Sequence, residues 1–152
     1  VAGRIYVDTS VIGGCEDDEF RLHSRRLMSA FVRGDLKLVL SDLTLSELAL
    51  APEPVRAVLV TVPDSHIEVV KLTSAVEELA RRYLAEGILP ASMLADAQHV
   101  AIATIAQVDA LVSWNFRHMV NLPRIHKYHA VNAKLGYPTI EIRSPREVIT
   151  NE

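Results

Sequence analysis

Short apolar runs alternate along the chain with stretches whose apolar residues recur at helical spacing. Residues 5–7 (Ile-Tyr-Val) read as a buried strand, with β-branched and aromatic side chains and no helical period. Thr9-Ser10 then turns the chain, and Gly13-Gly14 loosens it. Residues 20–32 read as a helix: Leu22, Leu27, Ala30 and Phe31 form its apolar stripe, and Arg25-Arg26 lie outside. Gly34-Asp35 ends it, and residues 36–40 make a second strand. Ser41 is the expected N-cap of the next helix, Asp42 sits in its first turn, and Pro52 and Pro54 stop it. A short helix over 55–60, a strand over 67–72 and a helix over 74–86 closed by Gly87 follow. A long helix is expected over 93–107, a fourth strand over 110–114, and a fifth over 139–142 between Pro138 and Pro145. No element is assigned between residues 115 and 138.

Strands that alternate with helices argue for a parallel sheet covered on both faces. No repeat, low-complexity run or linker interrupts the pattern, so residues 1–152 read as a single domain. In such a fold the functional edge lies at the carboxyl ends of the strands. Asp8 directly follows the first strand and Asn115 the fourth.

Composition narrows the class. The chain has 152 residues, 49% hydrophobic and 23% charged, which suits a globular domain with a real core. Cys15 is the single cysteine, so no internal disulfide forms. Cys15 also lacks any local signature of a nucleophile. The most apolar stretch, 94–114, contains Asp96, Gln98, His99, Gln107 and Asp109 and does not read as a membrane span. No leader-like stretch is expected before the first strand, and the missing initiator Met suggests processing or a trimmed chain. A cytoplasmic location is expected.

Net charge is −3, which does not mark a polyanion binder, but its distribution is uneven. Between Asn115 and Arg146 the basic residues are Arg117, Arg124, Lys127, Lys134, Arg143 and Arg146, with Glu141 the only acid. A locally basic end can contact phosphates. His126 and His129 stand three apart there, but no cysteine or acid completes a zinc set, and surface histidines are the simpler account.

Three acids interrupt apolar segments: Asp8, Glu47 and Asp96. An unpaired carboxylate in such a setting costs several kcal/mol (roughly) or is forced neutral. Leu43, Glu47 and Leu50 share one helical face, and that face is expected to point inward. Asp96, Val100 and Ala103 repeat the spacing on the long helix. Asp8, Glu47, Asp96 and Asn115 are therefore expected to converge, and a hard cation such as Mg²⁺ or Mn²⁺ would relieve the crowding.

Four fragments in order resemble PIN-domain ribonucleases, the group that includes virulence-associated protein C-like toxins of bacterial type II toxin–antitoxin modules. They are Tyr6-Val7-Asp8-Thr9-Ser10-Val11, Ser46-Glu47-Leu48, the run Ala95-Asp96-Ala97-Gln98-His99-Val100-Ala101-Ile102-Ala103, and Leu111-Val112-Ser113-Trp114-Asn115-Phe116. The resemblance implies a three-layer α/β/α sandwich around a mostly parallel five-stranded sheet. It implies cleavage of single-stranded RNA that depends on Mg²⁺ or Mn²⁺, with Asp8, Glu47, Asp96 and Asn115 as catalytic and metal-binding residues. Asn115 stands where relatives often carry Asp, and His118 where some carry a further acid, so both depart from the pattern. Ser10 is a candidate for holding water or a phosphate oxygen, or else for capping the helix that follows. Arg117 and His118 are candidates for the RNA backbone, and Trp114 for either a base or the core. The resemblance also implies a homodimer and an antitoxin partner, with an apolar helix pair over 55–60 and 75–84 as the candidate surface. Two other readings compete. A phosphatase of the haloacid-dehalogenase kind needs an acid where Ser10 stands, and a weakly active or inactive binding module would fit the neutral Asn115.

Overall fold

In a computed structural model the chain is described over residues 3–149. Five parallel strands form one sheet in the order β3-β2-β1-β4-β5. They are β1 (Gly3–Val7), β2 (Leu36–Ser41), β3 (Ile67–Val70), β4 (Ala110–Val112) and β5 (Glu141–Arg143). The strand order reverses direction between β1 and β4, which are paired with Tyr6 opposite Leu111 and Val7 opposite Val112. Such a switch point opens a crevice at the carboxyl ends of its two strands.

The central strands are continuous apolar runs because helices cover both faces. On one face Tyr6, Val39, Leu111 and Ile142 pack under α5 (Ser74–Ala85), α6 (Leu94–Ala106) and α7 (Leu122–Lys134). On the other, Ile5, Val7, Leu38, Leu40 and Val112 pack under α1 (Thr9–Gly14), α2 (Arg21–Arg33), α4 (Glu53–Val60) and α8 (Pro145–Val148). A further helix, α3 (Asp42–Ala49), follows β2 directly, with Ser41 as N-cap accepting the Thr44 N–H at 3.1 Å. The three layers expected from the sequence are present, and the sheet is wholly parallel. Among the described residues no helix is long and apolar enough to cross a membrane.

Several local expectations are corrected. Thr9-Ser10 begins a helix, α1, whose Val11 and Ile12 are buried against the sheet. Its two glycines hide it from a propensity reading, yet Gly14 is there for space. A Cβ at Gly14 would lie 2.5 Å from Ser24 Oγ and 2.8 Å from Trp114 Nε1. Those two atoms are bonded to each other at 2.8 Å. Gly14→Ala is expected to break that bond and cost about 1–3 kcal/mol. Trp114 is the only tryptophan, so a shifted emission maximum with a lowered melting temperature checks this, and unchanged emission counts against it.

Leu22, expected in the stripe of α2, is 57% exposed; the rest of that stripe, Leu27, Ala30 and Phe31, is buried as expected, with Met28 beside it. Helix α7 falls where no element is expected. Asn121 caps it by accepting the Arg124 N–H, Pro123 lies in its first turn, and Ile125, Tyr128 and Val131 are buried. The proposed helix pair over 55–60 and 75–84 is not a pair: α4 and α5 pack on opposite faces of the sheet.

Candidate active site

The crevice between β1 and β4 is lined by residues just past the strand ends. Asp8 occupies the N-cap position of α1, but its side chain makes no capping bond. Ser10 Oγ donates to Asp8 Oδ1 at 2.6 Å, and Ser113 Oγ donates to Oδ2 at 2.7 Å. Both serines are held in turn: Ser10 Oγ accepts the Trp114 N–H at 3.0 Å, and Ser113 Oγ accepts the Asn115 N–H at 2.9 Å. Ser10 is thus inside α1 rather than capping it. The Asp8 carboxyl is 5% exposed, and burial pushes its pKa up. The nearby Asp96 charge pushes the same way, while His99 and the two serine bonds work against the shift without cancelling it.

Glu47 approaches from α3. The face of this helix that turns inward is Thr44 and Leu48; Leu50 is 90% exposed. The expected inward face of Leu43, Glu47 and Leu50 is therefore rotated, and Glu47 lies on its flank. The cause is a buried hydroxyl cluster. Tyr6 Oη lies 2.8 Å from Ser41 Oγ and 3.2 Å from Thr44 Oγ1, which ties Thr44 to the sheet. Tyr6 Oη also meets His99 Nδ1 at 2.7 Å, and His99 Nε2 meets Glu47 Oε1 at 2.9 Å. Thr9 Oγ1 donates to the same Glu47 oxygen at 2.7 Å. Partial burial raises the Glu47 pKa, but the bonds from His99 and Thr9 outweigh it, and the carboxyl is held below its usual range.

Asp96 is in the first turn of α6, with Val100 and Ala103 of its own face fully buried. Its Oδ2 accepts from Asn115 Nδ2 at 3.2 Å and from His118 Nδ1 at 3.0 Å. The His118 backbone N–H donates to Asn115 Oδ1 at 2.9 Å. Asn115 therefore turns its oxygen to its own loop and its nitrogen to Asp96. His118, expected toward the RNA backbone, is 8% exposed and faces Asp96. Arg117 between them is exposed, and its side chain has no partner among the described residues.

The wider basic stretch is largely used internally. Lys134 pairs with Glu86, and Arg143 with Glu141 and Glu147. Arg124 bonds the carbonyls of Arg117 and Ile88. Arg146 lies over the ring of Trp114, which stacks on Phe20 at 4.3 Å and is 5% exposed. Trp114 is thus a core aromatic. His129 Nε2 meets the Ile140 carbonyl at 2.8 Å, and His126 is exposed.

The donor set consists of carboxylates and hydroxyls. Among the described residues no three His, Cys, Asp or Glu side chains stand together as a metal cage. Oxygen donors of this kind suit a hard, partly hydrated cation, which needs only one or two carboxylates. Asp8 and Asp96 are the carboxylates here that could supply them, and Asp96 Oδ1 takes none of the bonds above. His99, Thr9 and Ser113 were not singled out from the sequence as site residues. All three lie inside the fragments that carry the resemblance: Thr9 directly after Asp8, His99 one turn past Asp96, and Ser113 directly after β4. That position was the available signal.

Comparisons with known proteins agree with this architecture. The sequence matches no family model and no curated protein. Solved structures match it well in three dimensions. A DNA-bound VapBC from Salmonella typhimurium superposes with a TM-score of 0.58 at 20% identity, over 94% of this chain and 98% of that one. A toxin–antitoxin complex from Klebsiella pneumoniae gives 0.58 at 16%, over 79% and 93%. The sarcin–ricin-loop-cleaving toxin VapC20 of Mycobacterium tuberculosis gives 0.56 at 18%, over 75% and 92%. The chain has a VapC-like PIN fold. Identities this low establish the fold alone. Within the PIN-like fold, the crevice holding Asp8 is the switch point of the sheet.

Proposed function

We propose that this chain is a nuclease that hydrolyses single-stranded RNA with the help of Mg²⁺ or Mn²⁺. The observation that carries the reading is the Asp8 carboxyl. It is buried at the switch point of the sheet, gripped by two hydroxyls, and close enough to Asp96 for the two charges to repel. Asp8 and Asp96 would hold the ion. When bound, such an ion polarises the scissile phosphate and makes water at the site more acidic. The chain's own residues do the positioning. Ser10 and Ser113 fix both Asp8 oxygens, and His99 and Thr9 fix Glu47 at the flank. The exposed Arg117 would meet a phosphate of the substrate.

The likeness to toxin–antitoxin structures supports a protein partner, and we extend the reading to an antitoxin that covers this crevice. A homodimer and a cytoplasmic location belong to the same reading. A second reading, an RNA- or protein-binding module that does not cut, is favoured by one observation: the amide of Asn115 presents nitrogen, not oxygen, to Asp96.

Cleavage of a mixed-sequence fluorogenic RNA separates the two. Wild type is expected to cut with Mn²⁺ or Mg²⁺ and not with EDTA, and Asp8→Ala and Asp96→Ala are expected to lose cleavage. Folded wild-type protein that binds RNA but yields no more product than these variants, at saturating metal, would establish the binding module instead.

A further inference from the structure

The Asp96 side of the site is closed by hydrogen-bond donors. Two nitrogens point at Asp96 Oδ2, and their protonation follows from their partners. The His118 backbone N–H only donates, so the atom of Asn115 that receives it at 2.9 Å is the oxygen. The other amide atom is then NH₂, and it faces Asp96 at 3.2 Å. His118 Nδ1, at 3.0 Å from the same carboxylate oxygen, carries its proton toward it. The Tyr128 hydroxyl donates to the His118 carbonyl at 2.9 Å from below and holds the turn in place. Tyr128 is fully buried, so this support is rigid.

A carboxylate oxygen that receives two N–H groups already has local positive charge on that side. A cation approaching there would meet those hydrogens and not lone pairs. We infer that Asn115 and His118 stand in for a second cation, so that the site binds a single divalent ion through Asp8 and Asp96 Oδ1. This rests on the metal-dependent reading of the site and deepens it. The two residues are positioning residues: they hold Asp96 and set the count of ions, without touching substrate.

The test counts Mn²⁺ bound per chain by electron paramagnetic resonance of the free ion, on the whole protein. Wild type is expected to bind one ion. Asn115→Asp with His118→Asp is expected to bind two, with circular dichroism confirming its fold. Two ions on wild type, or one on the folded double variant, would overturn the inference and leave the metal reading intact. No ion on wild type would overturn the metal reading and this inference with it. A second readout needs no variant. The ¹⁵N signals of the His118 imidazole are expected to keep the Nδ1-protonated pattern as Mg²⁺ is added to saturation. Loss of that pattern would mean that the ion takes the place of the donor, and the inference fails.

Discussion

Asp8→Asn is expected to melt higher than wild type at neutral pH without metal, while losing cleavage by more than about a hundredfold. The carboxyl is buried, and its pKa in the folded state is raised. Between the unfolded value, about 3.9, and the higher folded value, the folded chain holds a proton that the unfolded chain has released. Stability therefore falls as pH rises through that window, and the deficit is complete above it. Asparagine removes the charge and keeps the shape. A gain of about 0.5–2 kcal/mol is in the range for such site residues, or very roughly 2–4 °C per kcal/mol for a chain of this size. Added Mg²⁺ should stabilise wild type and not the variant, narrowing the gap. Thermal melts at pH 4 and pH 7, with and without Mg²⁺, check the argument. A variant that melts lower than wild type at pH 7 without metal would refute it.

The second large effect is expected at His99. The ring is 2% exposed and bridges Tyr6 to Glu47. His99→Ala leaves a cavity beside Tyr6, strips one of two donors from Glu47, and costs about 2–4 kcal/mol. Tyr6→Phe removes the other end of the bridge and costs less, about 1–3 kcal/mol, because the ring packing survives. The two changes share one network, so the double variant should fall short of the sum. Glu47 gives the pH signature. Its folded pKa is depressed, so its contribution is present above the unfolded value and lost as pH falls through the folded one. The gap between wild type and His99→Ala should accordingly shrink in acid. Urea titrations that show additive losses, or a His99→Ala penalty under about 0.5 kcal/mol, would contradict the bridge.

The alternation of strands and helices was legible because buried parallel strands read as unbroken apolar runs, as in residues 36–40. Asp8 and Asn115 fall at the expected edge: Asp8 directly follows β1, and Asn115 lies three residues past β4, which ends at Val112, short of the expected 114. What escaped were features that depend on partners. Helix α7 carries Ile125, Tyr128 and Val131 on one face, but His126, Lys127 and His129 between them dilute the period. Its cap, Asn121 followed by Pro123, was the readable sign. The rotation of α3 was not legible, because it is set by Tyr6 Oη reaching Ser41 and Thr44 from another strand. The direction of the Asn115 amide is likewise a property of the His118 backbone, not of the residue type. The acids are therefore visible one at a time, while their hydrogen-bond partners belong to the folded chain.

The β1–β4 pairing has a consequence in time. Ser113 and Asp8 are bonded across 105 residues of sequence, and β4 pairs directly with β1 to form the crevice. A growing chain that has made β1, β2 and β3 already carries Asp8 and Glu47, but it has no crevice to set them in. The Asp8–Ser113 bond can form only after residue 113 has left the ribosome and β4 has paired with β1. Fragments that stop short of β4 should leave Asp8 without its Ser113 partner however well they fold, and any chemistry of the crevice waits until β4 has paired with β1.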